Sequence, residues 1–163
     1  MTRPLWAPWR LEYIEQAHDA AECVFCAEAA GDVPSATSLL VHRGEHSIVL
    51  LNKFPYSSGH VLAAPTRHVG ELAALDDAEA LELHRLAVAG VQTLERAYGP
   101  DGFNLGWNLG RAAGAGIADH VHLHVVPRWS GDTNFMPVLA DVKVLPEHLL
   151  ATRDRLREAW ATG

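Results

Sequence analysis

Three histidines alternate with apolar residues in the run His120-Val121-His122-Leu123-His124. On a strand, residues i, i+2 and i+4 face one side, so these imidazoles would project together, roughly 6–7 Å from one to the next. Val121, Leu123 and Val125 would then point into a core. Three uses of such a row are chemically sensible. It could be a solvent-facing edge, although three adjacent histidines repel one another when protonated. It could bind a metal, because His-x-His on a strand suits zinc. Or a neutral imidazole could act as a nucleophile, which a side chain titrating near 6.5 can do at neutral pH. The segment Gly110-Arg111-Ala112-Ala113-Gly114-Ala115-Gly116 lies just upstream. Glycines let the backbone approach a ligand closely and turn its N–H groups toward phosphate oxygens. A glycine-rich loop delivering a histidine strand favours the nucleophile.

The only cysteines, Cys23 and Cys26, are spaced Cys-x-x-Cys. Without a secretion signal a structural disulfide is disfavoured, which leaves half of a metal site, a redox pair or two buried thiols. A redox pair opens a helix after a strand, and no strand precedes this one. Among the remaining histidines, His42, His46, His60 and His68 are candidate metal ligands, and His18, His84 and His148 read as surface residues.

These groups need elements to hold them. Thr37 to His42, Ser47 to Asn52 and His60 to Pro65 read as strands, with a turn at Arg43-Gly44-Glu45 and a loop at Pro55-Tyr56-Ser57-Ser58-Gly59. Asp76-Asp77 opens a long helix to about Tyr98, whose Leu83, Ala87, Val91, Leu94 and Tyr98 share one face. Gly99-Pro100-Asp101-Gly102 ends it. Phe103 to Trp107, Asp119 to Pro127 and Met136 to Val144 read as further strands, and a terminal helix spans 146–161. The expected fold is α+β, a mostly antiparallel five-stranded sheet with one long central helix and a C-terminal helix, in a single domain over 1–163. The first 20 residues, with Leu5-Trp6-Ala7-Pro8-Trp9-Arg10 and Tyr13, form an aromatic arm that docks on the domain or on a second subunit.

Length and composition agree. A chain of 163 residues, 48% apolar, can bury one sizeable core. No apolar run is long enough to cross a bilayer, and the N-terminus has no signal-peptide core, so a cytoplasmic protein without a membrane partner is expected. The formal net charge is −7 and lysine occurs only at Lys53 and Lys143, which argues against a nucleic-acid surface. A small anion could still be held by backbone N–H groups and a few arginines.

The run His120 to Val126 resembles the signature of the histidine-triad family, His-φ-His-φ-His-φ-φ with φ apolar, at every position. The resemblance extends over most of the chain. Ser47 to Pro65 looks like the family's nucleoside-binding strand–loop–strand, and Pro127-Arg128 follows the triad as it often does there. The resemblance implies a histidine-triad fold and an enzyme acting on a nucleotide, with these roles. His122 would attack the α-phosphorus and become a nucleotidyl-histidine. The carbonyl of His120 would fix the tautomer of His122, and His124 would contact the phosphate or its bridging oxygen. Asn52 would bind the ribose hydroxyls; Asn108 and the loop around Gly116 would hold phosphate oxygens. In branches with Cys-x-x-Cys, a structural zinc is completed by two histidines, here His68 of Pro65-Thr66-Arg67-His68 and His120, with Cys23 and Cys26. No organic cofactor is implied. Members commonly form homodimers with their sheets side by side.

Within the family, cleavage of dinucleoside polyphosphates such as diadenosine tetraphosphate, by water or by phosphate, fits best. Leu5 to Tyr13, Asn104 to Gly110 and Trp129 to Phe135 resemble that branch, in which bacterial phosphorylases often carry Gly-Ser where this chain has Ala115-Gly116. The alternative is nucleoside phosphoramidate hydrolysis. Nucleotide transfer to sugar phosphates is disfavoured, since those larger enzymes carry Gln at the position of His124. Two readings of other classes share the residues: a nucleotide-binding regulatory protein, and a zinc hydrolase using all three histidines as ligands. Arg128 could meet a distal phosphate or serve as a surface ion-pair partner, and Trp129 could stack on a base or pack.

Overall fold

The computed structural model describes residues 23–31, 35–132 and 147–163. The elements run α1 (Val24–Ala30), β1 (Leu40–Arg43), β2 (Ser47–Leu51), β3 (Val61–Pro65), α2 (Asp77–Tyr98), β4 (Gly102–Trp107), β5 (Leu123–Arg128) and α3 (Leu149–Ala161), with single 3-10 turns at Leu72–Ala74 and Arg111–Ala113. The expected α+β class and five-stranded sheet are present. Strand order is β1-β2-β3-β5-β4, and every pairing is antiparallel. The aromatic arm, the strand expected over 136–144 and the expected start of the last helix at 146 lie outside the described residues.

The sheet is covered on both faces, which is why β2 and β3 are buried at every position. One face, carrying Val49, Leu51, Val61, Ala63 and Val125, packs on Leu83, Ala87 and Leu94 of α2 and Leu156 of α3. The other, carrying Leu40, Ile48, Leu50, Leu62 and Ala64, packs on Phe25 of α1. Successive strand residues alternate between these two cores.

Helix α2 begins and ends where its chemistry says it should. Asp76 accepts from the Glu79 N–H at 2.8 Å and the Glu79 carboxylate accepts from the Asp76 N–H at 3.0 Å, a reciprocal capping box. Gly99 closes the helix in the left-handed conformation, φ 54° and ψ 54°. Glu79 also receives a two-pronged guanidinium bond from Arg67, at 2.8 and 2.6 Å.

Strand β5 is shorter than the sequence suggests. It starts at Leu123, not at Asp119. Its pairing with β3 ends at Ala63↔Leu123 because β3 terminates at Pro65, which has no N–H to offer a partner. Upstream of Leu123 the chain leans instead on the segment after β3: the Val121 N–H donates to the Val69 carbonyl at 2.8 Å. Gly70 permits that approach, since a Cβ there would lie 3.2 Å from the Asp119 backbone. No helix among the described residues is long and apolar enough to cross a membrane.

Candidate active site

The three histidines line the sheet face that carries α1, but they do not form a uniform row. His124 lies on β5 opposite Leu62 of β3 and Gly106 of β4. His122 and His124 are neighbours, with ring centroids 4.9 Å apart. The His120 ring turns away to the far side of Phe25, whose centroid is 4.9 Å from His120 and 5.0 Å from His122. The strand geometry expected for all three holds only at the His124 end, because His120 and His122 precede the strand. All three are buried, at 0%, 7% and 8% exposure.

Hydrogen bonds give each ring a defined tautomer. His122 Nδ1–H donates to the His120 carbonyl at 2.8 Å, so Nε2 carries the free lone pair. The Asn52 amide donates to His60 Nδ1 at 3.2 Å, and so does the Tyr56 N–H at 3.0 Å. Nδ1 of His60 is therefore unprotonated, and its Nε2–H donates to His124 Nδ1 at 2.9 Å. That leaves the proton of His124 on Nε2, a buried donor with no hydrogen-bond partner among the described residues. Burial lowers the pKa of His122, against the bond to the His120 carbonyl, which raises it. Burial, with a smaller contribution from His122, pushes His124 down to about 4. Both rings are neutral at pH 7.

His60 takes part in this arrangement as the group that orients His124, not as a metal ligand. A loop built for the purpose carries it. The Asn52 side-chain Oδ1 accepts from the Phe54 N–H at 3.0 Å, and Ser57 Oγ donates to the Pro127 carbonyl at 2.7 Å. Gly59 closes the loop at φ 79°, where any Cβ would meet Leu94 at 2.8 Å. Asn52, buried at the mouth of the loop, keeps one N–H and one lone pair for a further partner. Asn108 lies across the opening, its amide donating to the Tyr56 hydroxyl at 3.3 Å. Gly116 is half-buried; the next residue, Ile117, packs on the Phe25 cluster and so keeps this loop on the histidine face.

A second cluster stands behind His120. Its Nε2–H donates to the Pro65 carbonyl at 2.8 Å, which turns Nδ1 toward the cysteines. Nδ1 lies 3.3 Å from Cys23 Sγ and 3.7 Å from Cys26 Sγ, and Cys26 Sγ lies 3.2 Å from His68 Nδ1. The four ligand atoms are within 4.8 Å of one another. A tetrahedral zinc with S and N ligands has edges of roughly 3.5 Å, so the spacing fits. The donor set fits as well: two thiols, two imidazoles, and a ligating histidine anchored through its other nitrogen to a backbone carbonyl. The competing histidines are engaged elsewhere. His42 stacks on Trp160 at 4.7 Å, and His46 lies 3.8 Å from Glu45. Arg128 is an ion-pair partner: it grips Asp132 at 2.5 and 2.9 Å and Asn104 at 2.8 Å.

Sequence reasoning thus brought together His122, His124, Asn52 and Asn108 on one side and Cys23, Cys26, His68 and His120 on the other. It missed the orienting role of His60 and the position of Tyr56. The signal for His60 was its place eight residues after Asn52, at the end of a loop that returns to the same strand pair.

A fold and site of this kind define a class. The HIT domain model matches residues 33–131, and the chain belongs to the HIT family of nucleotide hydrolases and transferases. Among curated proteins, it is 37% identical to an AP-4-A phosphorylase of Mycobacterium tuberculosis, covering 96% of this chain and 84% of that one. It is 32% identical to an adenosine 5'-monophosphoramidase of Schizosaccharomyces pombe over 65% of this chain and 74% of the other. Among solved structures, a zinc-bound histidine triad family protein from Mycobacterium smegmatis superposes with a TM-score of 0.69 at 27% identity, covering 86% of this chain and 94% of that one.

Proposed function

We propose that the protein cleaves dinucleoside polyphosphates such as diadenosine tetraphosphate through a covalent nucleotidyl-His122 intermediate. The observation that carries this reading is the pair of opposed tautomers: His122 with its proton on Nδ1 and its lone pair on Nε2, beside a His124 Nε2–H that has no partner among the described residues. One group offers electrons and its neighbour offers a proton to bond, and both are buried where electrostatic interactions are strong.

In the first step His122 Nε2 attacks the α-phosphorus. A P–N bond forms and the P–O bond to the departing polyphosphate breaks, in line. His124 Nε2–H hydrogen-bonds the oxygen as it gains charge; the proton stays on the ring, because a polyphosphate leaves as an anion at pH 7. His122 keeps its Nδ1 proton, and the His120 carbonyl stabilises the positive charge the ring acquires. In the second step an oxygen of water or of inorganic phosphate attacks phosphorus. The P–N bond breaks, its electron pair returns to His122, and the acceptor's proton passes to solvent. Asn52 would hold the ribose hydroxyls, and Asn108 and the loop at Gly116 the phosphate oxygens. Kinship with the AP-4-A phosphorylase supports the dinucleotide. Kinship with the monophosphoramidase supports the alternative, hydrolysis of a nucleoside phosphoramidate through the same nucleotidyl-His122; there the bond that breaks is the substrate's own P–N bond, and the nitrogen must take up a proton, from His124 Nε2–H or solvent, to leave as an amine.

Cys23, Cys26, His68 and His120 would hold a structural zinc. When bound, it would supply a rigid anchor for His120 and hence for the carbonyl that orients His122. A homodimer is also proposed. β4 is an edge strand with Leu105 49% exposed and Leu109 beyond it 51% exposed. Beside it, on the face opposite the histidines, a cavity of about 320 Å³ is lined by Leu72, Leu75, Leu83, Trp107 and Leu123.

The test is product analysis with diadenosine tetraphosphate, with and without inorganic phosphate. ADP plus ATP would mean phosphorolysis, and AMP plus ATP hydrolysis; no cleavage, with a phosphoramidate consumed, would install the alternative. His122→Ala is expected to abolish turnover and covalent labelling while nucleotide binding survives. Full activity in that variant would refute the nucleophile.

A further inference from the structure

We infer that Tyr56 is the platform on which the base of the departing nucleotide stacks, and that it makes the site selective for substrates whose leaving group carries a second nucleoside. The inference rests on the proposed function and extends it to the half of the substrate that the histidines do not hold.

Position is the first argument. His124 Nε2–H is a buried donor without a partner among the described residues, and in-line attack by His122 sends the leaving oxygen toward a donor of this kind. The Tyr56 ring lies parallel to the His124 ring, at 5° and 5.8 Å between centroids, and 4.7 Å from the His60 ring. Tyr56 is thus the exposed aromatic ring beside the ring whose Nε2–H would meet the leaving oxygen.

Chemistry is the second argument. Tyr56 is 48% exposed although its ring is packed against two imidazoles, and Phe54, two residues earlier, is 44% exposed. Between them Pro55 is buried, so the loop presents two aromatic rings outward from one anchored turn. Lys53 Nζ lies 5.6 Å from the Phe54 ring centroid, which puts a cation at the same rim. Aromatic rings with a nearby cation suit a purine base joined to a polyphosphate.

Rigidity is the third. The Tyr56 N–H is bonded to His60, its hydroxyl accepts from Asn108, and Ser57 ties the loop to Pro127. A ring already in place loses little entropy when a base stacks on it.

The test compares two substrates of equal phosphate length, diadenosine tetraphosphate and adenosine 5'-tetraphosphate. They share the attacked phosphorus and differ in whether the leaving group ends in a nucleoside. The readout is the ratio of their kcat/KM values, which cancels any general damage to the histidines. Tyr56→Ala is expected to lower that ratio about tenfold, within the range of one lost base stack. Tyr56→Leu, which keeps apolar cover over His60 and His124, is expected to lower it as much, and Tyr56→Phe to leave it within about twofold. A ratio unchanged in both Tyr56→Ala and Tyr56→Leu overturns the inference alone. A wild-type protein that cleaves neither substrate overturns the reading beneath it and the inference together.

Discussion

Replacing His60 by Phe probes the chain of tautomers that sets the site. The substitution removes the acceptor for the Tyr56 N–H and the Asn52 amide, and the donor to His124 Nδ1. The Asn52 amide and His124 Nδ1 are buried and left unpaired at about 1–3 kcal/mol each, while the Tyr56 N–H is only part-buried, so a combined loss of about 2–6 kcal/mol of stability is expected. The effect on rate has a different origin. Removing a well-placed donor outright costs a factor of about 100–1,000. His124 is still present in the variant but free to turn or to shift its proton to Nδ1, so a loss of roughly 10- to 100-fold in kcat is the consistent expectation. His60→Gln, whose amide can donate to His124 Nδ1, should recover part of it. Turnover would be measured well below the melting temperature, and nitrogen NMR shifts would report which His124 nitrogen bears the proton. His60→Phe turning over at the wild-type rate, with His124 still protonated at Nε2, would refute the relay.

The depressed His124 pKa has a consequence for stability. Between about 4 and the ordinary 6.5 the unfolded chain binds a proton that the folded chain refuses, so this contribution is complete above pH 6.5 and is lost as pH falls toward 4. From pH 7 to pH 5 the unfolding free energy should drop by roughly 2 kcal/mol more in wild type than in His124→Gln, by urea titration; parallel pH profiles would count against it. Purified protein should contain one zinc per chain by elemental analysis, and Cys23→Ser with Cys26→Ser should abolish it and lower the melting temperature. Metal-free wild type with an unaltered melting temperature on zinc addition would argue against the site. Glu79→Ala removes the carboxylate that accepts from the Asp76 N–H, which is one half of the capping box of α2, together with the Arg67 pair, and should lower the unfolding free energy measured in urea by about 1–3 kcal/mol; an unchanged value would deny these bonds a role.

What could be read from the sequence followed from local rules. Helix α2 was legible at both ends because Asp76 and Gly99 are the residues that close helices, and the face built on Leu83, Ala87 and Leu94 is the face that is buried. The clustering of Cys23, Cys26, His68 and His120 was legible from the resemblance, through their types and spacing. The start of β5 was not: alternation of apolar residues continues back to Val121, but a strand also needs a partner, and Pro65 withdraws it. α1 was missed because seven residues are too few to show a helical period. The role of His60 was hidden because its partner His124 is 64 residues away, and hydrogen-bond direction is a property of three-dimensional neighbours. Of the two readings of Arg128, the ion pair is present, with Asp132 four residues on.

The two apolar clusters on opposite faces of the sheet imply an order of assembly. The α2–α3 side joins strands and helices through a large shared core, whereas α1 is fastened through Phe25, through the Arg43 guanidinium on the carbonyls of Glu28, Ala29 and Gly31, and through cysteine contacts that close 42 to 97 residues of chain. Closing spans of that length is entropically worthwhile only once their anchors are in place, so α1 should dock last and open first. In native-state hydrogen exchange its amides should exchange well before those of α2. A chain caught before that docking would have its sheet and long helix but an unfilled space beside His122. Completion of the surroundings of the proposed nucleophile is thus a late event in folding, reached after most of the molecule already has its shape.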